Sequence, residues 1–112
     1  MLQQAVEQFL RDRGWAVASD GRLIRAEKDG EEAMLGFLLL GEAVGYLERV
    51  ADSEAALGAV LMDAIPEAEV AQLEEAGVTC FPREALEDVV LSAWLRPDDL
   101  DASPFVRFLE GG

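Results

Sequence analysis

The chain has no histidine, one cysteine and one lysine. Without histidine, metal clusters of the Cys/His type are excluded, and a cysteine nucleophile has no imidazole base. A single cysteine, Cys80, rules out a disulfide framework within the chain. There is no apolar run near 18 residues, so no transmembrane helix is expected, and no secretory leader pattern, so a cytoplasmic location is expected. Basic charge is scarce: nine Lys and Arg face 23 Asp and Glu, for a net charge of -14. Such a field repels phosphate and disfavours DNA binding through the surface as a whole.

The shortage of basic charge is uneven. Residues 1–30 hold five basic groups (Arg11, Arg13, Arg22, Arg25 and Lys28) and five acidic ones (Glu7, Asp12, Asp20, Glu27 and Asp29). Residues 31–112 hold four Arg against eighteen acids, so essentially all of the net charge lies there. A local basic patch is compatible with the N-terminal third alone. At 112 residues, 51% apolar and 29% charged, the chain has the balance of one ordered domain. Its expected extent is 1–96, followed by an acidic C-terminal tail, 97–112.

The stretch from Trp15 to Leu40 organises the rest. It contains three strand-like runs joined by turn residues, Ser19-Asp20-Gly21 and Asp29-Gly30, the second a strong hairpin signal. The third run, Ala33 to Leu40, has no polar side chain, which predicts a central strand covered on both faces. Gly36 inside it marks a bulge or a close backbone approach. The charged residues expected near the core of this sheet are Asp20, Glu27 and Lys28.

Before these runs, Leu2, Ala5, Val6, Phe9 and Leu10 form a helical stripe ended by Gly14. After them, a helix is expected from Gly41 to about Ala56 with Val44, Leu47, Val50 and Ala51 inward, stopped by Gly58. Ala59–Met62 reads as a fourth strand. Pro66 opens a helix with Val70 and Leu73 inward and Gly77 as cap, and Val78–Phe81 reads as a fifth strand. Strand, helix and strand in so few residues imply a parallel pair with a right-handed crossover. Pro82 begins a last major helix with Leu86, Val89, Val90 and Ala93 inward, stopped at Arg96-Pro97. In the tail, Ser103 and Pro104 start a short helical turn. Its apolar residues Phe105, Phe108 and Leu109 either fold back on the domain or bind a partner. The predicted class is α/β, a mixed central sheet of about five strands flanked by helices in the order α-β-β-β-α-β-α-β-α.

Phe9 to Val17, FLRDRGWAV, runs a helix into a strand through Gly, an aromatic, one residue and Val. Asp20 then stands beside a glycine before a strand, and a hydrophobic third strand leads into a helix. Gly58 to Val90 repeats strand, helix, Gly-Val, strand and helix. Over about 90 residues this pattern resembles the PD-(D/E)XK nuclease superfamily, most closely the Mrr-like restriction endonucleases and their junction-resolving relatives. The resemblance implies a restriction-endonuclease-like fold. It also implies an acid at the start of the second strand and a Glu/Gln-x-Lys on the third, holding Mg²⁺ or Mn²⁺ and activating water.

Asp20 matches the first of these positions. The third strand has Met34-Leu35-Gly36-Phe37 instead, with neither acid nor lysine. A migrated site would use Asp20, Glu27 and Lys28, with Glu7 of the first helix as an added metal ligand and Arg11, Arg13, Arg22 and Arg25 on DNA. Glu27 and Lys28 are adjacent, so in a regular strand they point to opposite faces and only a bulge would unite them. The alternative is that Asp20 caps a turn while Glu27 and Lys28 are solvated strand ends.

Two further groups read as structural. Cys80 is a core thiol, and Asp63, alone at a strand end, is a turn or cap residue. Trp15 and Trp94 read as core. The favoured function is a catalytically degenerate nuclease-fold domain, without cofactor, for assembly or regulation in DNA metabolism or defence. Its expected partner is a second copy or another protein, with no membrane. The alternatives are a Mg²⁺- or Mn²⁺-dependent DNA endonuclease with the migrated site, and an unrelated α/β binding module.

Overall fold

The computed structural model describes residues 2–95 and 104–109, except the side chains of Trp94 and Pro104. Its elements are α1 (Leu2–Asp12), β1 (Ala16–Asp20), β2 (Leu23–Lys28), β3 (Glu31–Leu38), α2 (Ala43–Val50), β4 (Ala56–Leu61), α3 (Glu67–Glu75), β5 (Val78–Pro82), α4 (Arg83–Leu95) and α5 (Pro104–Leu109). The five strands form one sheet in the order β1-β2-β3-β4-β5. The first three pair antiparallel, and β3, β4 and β5 pair parallel. The all-apolar strand is therefore the central one, as its composition requires. Among the described residues no helix is long and apolar enough to cross a membrane.

Two tight hairpins set the meander. Asp29 and Gly30 both have positive φ, 53° and 83°, the combination of a type I′ turn, and Lys28 pairs Glu31 directly across it. Gly21 alone is positive at the first turn, with φ 62°, as type II′ requires, and Asp20 pairs Leu23. Asp20 is thus the last residue of β1, and the turn is Gly21-Arg22 rather than Ser19-Asp20-Gly21.

Each face of the sheet has its own core. Val6, Phe9 and Leu10 of α1, Leu86 and Val89 of α4, and Phe105 of α5 pack on Ile24, Ala26, Leu35, Phe37 and Val60. Ala43, Tyr46 and Val50 of α2 and Leu73 of α3 pack on Leu23, Met34, Leu38, Ala59 and Val78 from the other side. Trp15 is buried in the first core, while the side chain of Trp94 lies outside the described residues. So do Ser103 and the Arg96-Pro97 helix stop.

Several boundaries differ from expectation. β3 ends at Leu38, leaving Leu40 63% exposed. α2 ends at Val50 and Gly58 lies inside β4, not at a helix end. Alanine propensity favours continuing the helix through Ala55-Ala56, but pairing of Ala56 and Leu57 with Ala33 and Met34 overrides it. The Ser53 hydroxyl, which accepts the Ala55 N–H at 3.1 Å, turns the chain into the strand. The buried face of α2 is also rotated: Ala43 and Tyr46 are buried, whereas Val44 and Ala51 are exposed. Tyr46, absent from the predicted stripe, is the residue that anchors this helix.

Candidate functional site

The three residues of the migrated site do not converge. In β2 the inward residues Ile24 and Ala26 belong to the core under α1, α4 and α5. By alternation Lys28 shares that face, and Glu27 shares the other with Asp20, which pairs Leu23 across the hairpin. Registers are continuous through Lys28, so there is no bulge to bring Glu27 and Lys28 together. The Lys28 ammonium crosses instead to α1 and donates to the Arg13 carbonyl at 2.8 Å, at the helix end where the dipole favours a cation. Glu27 is exposed. Of the acids expected near the core, neither Asp20 nor Glu27 is buried; among the described residues the buried carboxylate is Glu7, with Arg11 3.7 Å away.

Asp20 accepts a hydrogen bond from Arg49 of α2 at 2.7 Å. Glu7, on α1, lies in the layer on the opposite side of the sheet. Among the described residues no three Cys, Asp or Glu side chains are grouped closely enough to hold a metal ion. The arginines expected on DNA are likewise dispersed. Arg11 faces Glu7, Arg25 lies 3.6 Å from Glu32, Arg22 pairs with Glu42, and Arg13 lies over the Phe9 ring at 5.7 Å.

What the fold does build is a cleft of about 430 Å³ between the first hairpin and α2. Gly36, Gly45 and Tyr46 line it together with the charged residues Arg22, Glu42 and Arg49. Arg22 Nε donates to Glu42 Oε1 at 3.1 Å, and its Nη2 donates to Oε2. The Leu39 N–H donates to the same carboxylate at 2.7 Å. The Arg22 bond first, then that of Leu39, holds the Glu42 carboxyl below its ordinary range. Two ion pairs, Arg22–Glu42 and Arg49–Asp20, thus tie the hairpin to α2. Neither Glu42 nor Arg49 stood out in the sequence, because nothing local marks a partner 20 or 29 residues away.

In the wall of the cleft, Tyr46 occupies the space of the missing side chain of Gly36. A Cβ there would lie 2.5 Å from Tyr46 Cε2, so the glycine serves a close approach and not a bulge. The Tyr46 hydroxyl donates to the Gly58 carbonyl at 2.6 Å, and burial pushes its titration well up. Cys80 is half-buried against the same core, its thiol pushed up mainly by burial, and Asp63 accepts the Leu40 N–H at 3.2 Å, joining the loop after β4 to the loop after β3. Phe105 and Leu109 are buried in their own chain, with Phe108 half-buried beside Gly58, so the tail helix takes the first of its two options and folds back. No protein-family model, curated protein or solved structure matches this chain.

Proposed function

We propose that this chain is a non-catalytic assembly or regulatory domain on a nuclease-type scaffold, without cofactor. The observation that carries the reading is the bond from Lys28 to the Arg13 carbonyl, on the opposite face of the sheet from Asp20 and Glu27. A hydrolytic site needs its metal-holding carboxylates and its cation within reach of one water. Here the cation closes a helix end, Asp20 holds Arg49, and Glu27 stands on the outer surface. The order of helices and strands through β3 and the crossover to β4 is what supports the nuclease-type scaffold; the residues supply the loss of its chemistry. Dispersed, acid-paired arginines and a net charge of -14 support a protein partner over DNA.

The test is incubation of the full chain with supercoiled, linear, single-stranded and four-way-junction DNA in Mg²⁺ or Mn²⁺, beside Asp20→Ala. No cleavage above the metal-only control is expected from either protein. Metal-dependent cleavage lost in Asp20→Ala would overturn the reading in favour of an endonuclease in which Asp20, Glu27 and Lys28 come together on binding.

A further inference from the structure

We infer that β1 is a self-pairing edge, through which two copies of this chain join their sheets into one of ten strands. This rests on the assembly reading above and names its partner and surface. β1 lies at the end of the sheet with Ala16, Ala18, Ser19 and Asp20 exposed and Val17 half-buried. Edges are commonly blocked by lysine, proline or a bulge. β1 has none of these, and its register with β2 is unbroken. The other edge, β5, ends in Pro82.

The hairpin fixes which backbone groups are free. A two-residue turn closes on a hydrogen-bonded pair, here Asp20 with Leu23, and such pairs alternate along an antiparallel ladder. Ala18 with Arg25 and Ala16 with Glu27 are therefore bonded pairs, and Val17 and Ser19 turn their N–H and C=O groups outward. An antiparallel strand centred on Ala18 meets all four. Val17 bonds Ser19 of the second copy, Ser19 bonds Val17 of the second copy, and a twofold axis passes between the two Ala18 residues. The Ala18 pair is then the non-bonded kind, where side chains approach most closely, and methyl groups fit there.

The twofold match of β1 with itself points to a second copy as the occupant, and charge permits it. Two molecules of net charge -14 repel through most of their surfaces, but residues 1–30 balance five basic groups with five acidic ones. β1 belongs to that neutral third. Its one charged residue, Asp20, is held by Arg49 of its own chain and falls opposite Ala16 of the second copy, so no like charges face each other. A contact through so short a strand falls below the roughly 1,200 Å² of a standard interface, which makes the dimer one that dissociates on dilution.

The experiment is light scattering of the full chain over a concentration series, with Ala18→Lys and Ser19→Pro beside the wild type and circular dichroism confirming the fold of each. The wild type should pass from monomer to dimer. Ser19→Pro deletes two of the four bonds by symmetry and should weaken association about tenfold; Ala18→Lys sets two cations across the axis and should weaken it similarly. In a Cys80→Ala background, Ala18→Cys should form a disulfide-linked dimer on mild oxidation. Ala16→Cys should not, because the two copies of position 16 lie about 13 Å apart along the strands.

A monomer at every concentration would overturn the inference, as would equal cross-linking through Ala16→Cys. A dimer insensitive to both strand variants would also overturn it, while moving assembly to another surface and leaving the functional reading intact. Metal-dependent cleavage lost in Asp20→Ala would instead overturn the functional reading, whatever the mass.

Discussion

At the residue scale, the Gly36–Tyr46 contact governs how α2 sits on the sheet. The ring occupies the space of an absent Cβ, and its hydroxyl is fixed to the Gly58 carbonyl. The ring cannot withdraw without breaking that bond. Gly36→Ala should therefore destabilise the fold by about 1–3 kcal/mol through overpacking. Tyr46→Phe leaves a buried carbonyl without its donor and should cost about 1–2 kcal/mol. Because the phenyl ring is no longer tethered, the double variant should cost less than the sum, and urea denaturation of the four proteins measures the difference. Additive costs would mean that the hydroxyl does not hold the ring in place.

At the scale of elements, α5 completes a core that the sheet and α1 leave open. Phe105 meets Phe81 edge-on at 5.5 Å and Phe9 at 6.2 Å, and Phe108 meets Phe81 at 5.4 Å. Phe108 also fills the notch left by Gly58, where a Cβ would come within 2.9 Å of its ring. Phe105→Ala should lower stability by about 3–5 kcal/mol, a large part of the roughly 5–15 kcal/mol typical of a domain. Leu95→Ala, at a 67% exposed position, should stay within about 0.5 kcal/mol. Thermal unfolding of the two variants separates these cases, and a mild effect at Phe105 would mean that α5 is an appendage.

At the scale of the whole molecule, repulsion among excess carboxylates competes with exposed ion pairs. The radius of gyration is 13.3 Å. In about 0.01 M salt the Debye length is about 30 Å, so every charge senses most of the others; in about 1 M salt it falls to about 3 Å. Exposed pairs such as Arg22–Glu42 and Arg49–Asp20 contribute little, because water and salt screen them. Repulsion at a net charge of -14 should dominate, and the melting temperature should rise with added sodium chloride. A fall would show that the pairs tying the first hairpin to α2 outweigh it.

The sequence by itself determined the local chemistry of this fold. Asp29-Gly30 dictated a hairpin, the unbroken apolar run of β3 dictated a central strand, and Gly14 and Gly77 marked helix ends, because turn geometry and burial pattern act over a few neighbouring residues. Strand alternation likewise foretold that Glu27 and Lys28 part company. The boundary of α2 was not legible, since helix propensity at Ala55-Ala56 lost to pairing with a strand over twenty residues away. Only the tertiary structure decided which side chains meet: Lys28 with the end of α1, Asp20 with Arg49, Arg22 with Glu42, and the tail phenylalanines with Phe9 and Phe81. Such partners are set by how layers stack across the sheet, and no short-range pattern in the chain encodes that stacking.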